Sequence, residues 1–154
     1  MSNKKIYIGS DHAGFPLKEF LRKFLVQEGR EVEDCGTYSE VSCDYPDYAL
    51  AVSEKVVNDK NSLGILVCGT GIGVSITANK VHGILAARCA SVEDAELARR
   101  HNGANIICLG GRQLTTDLAQ AIVKKFLETE VEEGRHATRR AKIRQIEQDQ
   151  CKKN

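Results

Sequence analysis

The sequence predicts an α/β domain in which helices cover both faces of a five-stranded parallel sheet. Three observations carry this. Short apolar runs alternate with longer segments of helical period. Leu63–Cys68 is apolar throughout, as a strand buried on both faces must be. Glycines follow several of the runs, as at Gly9, Gly69 and Gly110, and parallel sheets bind ligands at such carboxyl ends.

The elements follow in order. Lys4–Ile8 is a short β-rich run. Pro16–Glu28 carries Leu17, Phe20, Leu21, Phe24 and Leu25 at helical spacing, with Pro16 suited to its first turn and Gly29 to its end. Glu31–Asp34 reads as a second strand and Cys35–Asp44 as a polar turn region. Tyr45–Val57 is helical, with Pro46 near its start. Leu63–Cys68 is the third strand, and a helix is expected over Val74–Lys80. Ile84–Cys89 is a fourth strand. Val92–Arg100 is a helix capped by Ser91, with Glu93 and Asp94 in its first turn. Ile106–Leu109 is a fifth strand, Leu114–Leu127 an amphipathic helix, and Arg135–Gln150 a polar final helix. Nothing in the pattern fixes the order of strands.

The 154 residues fit one domain, residues 1–154, with a real core. A net charge of +1 argues against nucleic acid as the main partner. No apolar run approaches the ~18 residues of a membrane span, and Met1–Gly9 lacks the apolar core of a secretory leader. The six cysteines form no CxxC pair and read as reduced thiols of a cytoplasmic protein.

Five segments carry candidate chemistry. In Cys68-Gly69-Thr70-Gly71-Ile72-Gly73, backbone N–H groups after a strand can face an anion. The same field favours the thiolate form of a cysteine at the turn. An ordinary tight turn or a nucleotide loop is the competing reading. The nucleotide loop is weakened because this turn follows the third strand, and Ala86-Ala87-Arg88-Cys89 brings no acidic residue where one is needed. Asp11 and His12, after the first strand, would share an edge with Cys68; alone, Asp11 reads more readily as a helix cap and His12 as a surface residue. His101, in Arg99-Arg100-His101-Asn102, is an imidazole able to pass protons at neutral pH, or a favourable cation at a helix end. Arg112 follows the fifth strand, where it reaches an anion or only solvent. Arg135 and Arg139 stand four apart in the first turns of a helix, where the dipole disfavours cations. A phosphate bridging them would remove that conflict; a solvated basic face is the alternative. His12, His82, His101 and His136 lack metal-ligand spacing, so no metal is expected.

SDHAG at 10–14, DYPDYA at 44–49, CGTGIGVSITANK at 68–80, RRHNGAN at 99–105, LGGR at 109–112 and EGRHATRR at 133–140 occur together in this order. In this the chain resembles the type B ribose-5-phosphate isomerases of the ribose/galactose isomerase family, from Lys4 to about Ile146. The resemblance implies a Rossmann-like three-layer α/β/α fold and a homodimer or dimer of dimers with active sites at the interface. The helix near 135–150 would take part in dimer contacts. It implies a cofactor-free conversion of ribose 5-phosphate to ribulose 5-phosphate, a pentose phosphate pathway step, through an enediolate. Cys68 is then the base, Gly69, Gly71, Ile72 and Gly73 line the anion hole, and His101, helped by Thr70, opens the furanose ring. Asp11 and His12 bind substrate, Asn102 lies at the enediolate end, and Arg112, Arg135 and Arg139 bind phosphate. His136 and Asp44 are weaker candidates, and Tyr45 lines the sugar pocket. Some relatives carry Gly at the position of Cys68 and a Glu base at that of Val74; here Val74 cannot ionise, which marks the cysteine type. A six-carbon sugar phosphate (allose or galactose 6-phosphate) and a non-catalytic sugar-phosphate-binding module are the competing functions.

Overall fold

The computed structural model describes residues 3–153. Five parallel strands, β1 (Lys5–Ser10), β2 (Val32–Asp34), β3 (Ser62–Cys68), β4 (Ala86–Arg88) and β5 (Ile106–Gly110), lie in the order β2-β1-β3-β5-β4. The helices are α1 (Phe15–Gln27), α2 (Tyr45–Val57), α3 (Ile72–Ala78), α4 (Val92–Arg100), α5 (Thr116–Glu128) and α6 (Arg135–Lys152).

Alternation along the strands sorts side chains to two cores. Ile6, Ile8, Ile65, Val67, Ile107 and Leu109 meet apolar residues of α1, α4 and α5 on one face. Tyr7, Leu66, Cys68, Ile106 and Cys108 meet those of α2 and α3 on the other. β3, at the centre of the sheet, is buried along its whole length, which explains its unbroken apolar run. The helix α6 stands apart. Only His136 and Arg140 are buried in it, and Ile143 and Ile146 remain exposed.

Most elements differ from expectation by a residue or two at an end, and three of these shifts have a hydrogen bond behind them. The third helix begins at Ile72 and ends at Ala78, because Gly71 adopts φ 78° and the Thr70 hydroxyl accepts the Ile72 N–H. The fourth strand shortens to Ala86–Arg88, since the side chains of Asn79 and Asn105 take the N–H groups of Ala86 and Leu85. The fifth helix starts at Thr116, because the Thr115 hydroxyl caps it at the Leu118 N–H. The Ser91 cap forms as expected, on the N–H of Asp94.

β1 and β3 are neighbours, with β2 on one side and β5 on the other. The sheet therefore reverses direction of winding between them. The crevice outside their carboxyl ends is the place where open α/β sheets bind ligands, and Asp11, His12 and Cys68 all lie there.

Candidate active site

Cys68 ends β3, and its side chain turns toward the α2 and α3 face. Its sulfur accepts the backbone N–H of Gly71 at 3.2 Å. The turn that achieves this needs glycine at 71: φ is positive, and a Cβ would stand 2.9 Å from the carbonyl carbon of Leu109. Arg112 follows β5 and folds back, its own N–H on the Gly69 carbonyl and its guanidinium against Gly69. It is exposed. Arg88, which the sequence suggested only as a missing acid, braces this loop through its Nε on the Thr70 carbonyl at 2.8 Å and its guanidinium on Gln113. No motif could have shown that, because the contact joins the end of β4 to the loops of β3 and β5.

Asp11 is buried and accepts the Gly14 N–H at 2.9 Å. This holds the turn out of β1. Gly14 itself touches the backbone of β3 at Val67, leaving no room for a side chain. His12 is half-buried, and its Nδ1 accepts the Cys43 N–H at 3.2 Å. Tyr45, at the start of α2, lies over Gly73, where a Cβ would come within 2.6 Å of the ring. Asp44 caps α2 by position, with no side-chain bond to the helix. One chain thus gathers Asp11, His12, Cys68 with its loop, Arg112 and Tyr45 at one edge of the sheet.

His101 is elsewhere. It ends α4 and precedes β5. Register pairs Gly64 with Ile106 and Cys68 with Gly110. Those ends are four residue steps apart, about 13 Å of strand. His101 and Asn102 lie beyond the amino end, with α6. The His101 ring stacks on His136 at 3.8 Å, and its Nε2 is 3.5 Å from Glu132. Arg140 donates to the carbonyls of His101 and Glu132. Arg135 and Arg139 flank His136, exposed, with no ion pair among the described residues. Burial, then the charges of His101 and Arg135, hold His136 below the usual imidazole range. The expected site residues therefore fall into two groups at opposite ends of one sheet.

The second group bears on the question of a metal. His101, Glu132 and His136 bring ligand atoms within 4.8 Å of one another, a grouping that sequence spacing did not foresee. Its geometry does not favour a metal. The rings lie 7° from parallel, so their in-plane lone pairs do not converge, and Arg100 holds Glu132 at 2.8 Å.

Among the remaining thiols, burial pushes Cys35 up to about 11 and Cys89 up to about 12, and it pushes Cys108 up further. Thiolate is the reactive form. These three should resist iodoacetamide in the folded protein, and half-buried Cys43 and exposed Cys151 should supply modified sites in a peptide map. Rapid labelling of Cys89 or Cys108 would contradict the packing described.

A cysteine, an acid and an arginine at the switch point of a parallel sheet, beside a glycine loop, define an α/β enzyme class that handles small anionic substrates. Known proteins narrow this. Residues 6–143 match the model of the family described as Ribose/Galactose Isomerase. The ribose-5-phosphate isomerase B of Escherichia coli is 45% identical over 145 residues, covering 94% of this chain and 97% of that protein. A Clostridium thermocellum ribose-5-phosphate isomerase B structure matches at TM-score 0.92 with 50% identity, over 94% of this chain and 98% of that one. The Mycoplasma genitalium enzyme, solved with bound ribulose 5-phosphate, matches at TM-score 0.90 with 44% identity, over 94% and 96% of the two chains. The chain belongs to the ribose/galactose isomerase family. Among the described residues, no helix is long and apolar enough to cross a membrane.

Proposed function

We infer that the chain is a type B ribose-5-phosphate isomerase with Cys68 as its base, and that a second copy completes each site. The observation that carries the chemistry is the Cys68 sulfur under the Gly71 N–H, beside Asp11 and His12 at the switch point. Support for the substrate comes from relatives near 45% identity that bear this name.

The reaction runs as follows. His101 of the second copy takes the proton of the anomeric O1 hydroxyl and passes it to the ring oxygen O4 as C1=O1 forms and the O4 bond to C1 breaks. The open aldose then has its C1 carbonyl at the glycine loop. The Cys68 thiolate removes the C2 proton. The electron pair forms C1=C2, and the carbonyl pair moves to O1, giving an enediolate. Donors preorganised for that oxyanion lower the barrier, a role that suits the N–H groups of Gly69, Thr70 and Gly73, since that of Gly71 meets the Cys68 sulfur and that of Ile72 the Thr70 hydroxyl, with Asn102 of the second copy at the same end. The O2 proton passes to O1, C2=O2 forms, and the Cys68 thiol returns its proton to C1. Arg112, together with Arg135 and Arg139 of the second copy, anchors the phosphate. Remote binding energy so positions the reacting carbons.

Val74 is fully buried in the apolar core behind the loop, consistent with a thiol rather than a carboxylate base. Exposed Ile72 and Ile76 on α3, and Ile143 and Ile146 on α6, supply apolar surface for the second copy. A coupled assay with EDTA present tests the substrate. Ribose 5-phosphate should turn over at least about a hundredfold faster, by kcat/KM, than allose 6-phosphate or galactose 6-phosphate. Such a ratio corresponds to about 2.7 kcal/mol of transition-state discrimination. Preference for either six-carbon sugar would move the substrate, and silence on all three would leave a binding protein.

A further inference from the structure

His12 needs more than its place after β1 to be useful. An imidazole is a donor at one nitrogen and an acceptor at the other, and the partner of the first decides what the second can do. The partner here is a backbone amide. The Cys43 N–H meets His12 Nδ1 at 3.2 Å. A peptide N–H only donates, so Nδ1 must accept and cannot carry a proton while the bond stands. The neutral ring then bears its proton on Nε2. Among the described residues Nε2 makes no hydrogen bond. The thiol of Cys43, 4.0 Å from the same Nδ1, lies too far to replace the amide.

The amide is held in place from a distance. Cys43 sits at the end of the segment 35–44, whose middle is exposed. Its beginning is stitched to β1: the Gly36 carbonyl accepts from Ser10 N at 2.8 Å, and Thr37 N donates to the Ser10 carbonyl at 2.8 Å. Lys18, with a fully buried side chain, clamps the same point. Its Nζ donates to both oxygens of Asp34 at 2.7 and 2.8 Å and to the Thr37 carbonyl at 2.7 Å. The far end enters α2 at Tyr45, with Pro46 in the first turn. Both ends of the segment are thus anchored, and Cys43 N lies next to the anchored end.

We propose that the β2–α2 segment, acting through the Cys43 amide, is a positioning device that locks His12 as an Nε2–H donor to an acceptor oxygen of the substrate. The oxygen is a phosphate or sugar oxygen, and this rests on the isomerase reading above. His12 then binds by donation and takes no part as a base. Cys43 contributes through its backbone, so its side chain is free to vary.

The test uses 15N-labelled whole protein in mildly alkaline solution, with His12 signals assigned by their loss in His12→Asn. A scalar coupling across the hydrogen bond between the Cys43 amide nitrogen and His12 Nδ1 is expected, with the proton on Nε2. A proton on Nδ1, or absence of the coupling, overturns the proposal, and neither result depends on activity. Cys43→Ser keeps the amide and should keep the coupling. Cys43→Pro removes it, and should raise KM for ribose 5-phosphate about tenfold while kcat stays within about threefold, as loss of one hydrogen bond to a charged group allows. An unchanged KM in a folded Cys43→Pro protein would also overturn it. If the isomerase reading itself fails, no sugar phosphate is turned over by any variant, yet the coupling is still there to be measured.

Discussion

Cys68→Ala is expected to lower kcat for ribose 5-phosphate by about a thousandfold, within the range a positioned general base supplies, and to leave substrate binding largely intact. The reasoning is geometric. The thiol stands at the carboxyl end of the central strand and accepts the N–H of Gly71. No carboxylate replaces it, since the loop residues 69–73 and Val74 cannot ionise. In the proposed site phosphate anchoring falls to Arg112, Arg135 and Arg139, none of which the change replaces. Removing one buried sulfur should cost about 1 kcal/mol of stability, so denaturant midpoints separate lost chemistry from lost fold. Calorimetry would report the retained binding and the coupled assay the lost rate. Wild-type turnover by a folded Cys68→Ala protein would place the base elsewhere.

Mixing two dead variants should restore life. If, as proposed, each site is shared between two copies, Cys68→Ala and His101→Ala homodimers each lack one half of every site. Subunits exchanged at equal concentration should regain about a quarter of wild-type activity, since half the dimers are mixed and one of two sites in each is intact. The case rests on where one chain puts these groups. His101 lies beyond the amino end of β5, and Cys68 is paired with the carboxyl end of that strand. Parallel strands cannot fold a residue at one end onto a residue at the other. Arg135 and Arg139 travel with His101, because His136 between them stacks on its ring. No recovery after verified exchange would mean that His101 and Cys68 do not act in one site.

Much of this was readable before any coordinates. The run Leu63–Cys68 announced a central strand, because burial on both faces leaves no polar position. Ser91 and Gly29 marked helix ends through local bonding and backbone preference, which need only neighbours. The extent of β4 depended on more distant partners. Asn79 and Asn105 shorten β4 by taking amides that the sequence left to the sheet. Arg88 braces Thr70 across eighteen residues, and Glu132 meets His101 across thirty-one.

The sequence by itself determined the layered fold, the glycine loop behind Cys68 and the identity of the chemical groups. Each of these follows from periodicity, backbone freedom or side-chain type, which are local properties. Only the tertiary structure decided which groups share a site. Strand order placed β1 beside β3 and so brought Asp11 and His12 to Cys68. Strand direction sent His101, Asn102, Arg135 and Arg139 to the opposite edge. Order and direction arise from packing a whole sheet at once, and no short window of residues contains them.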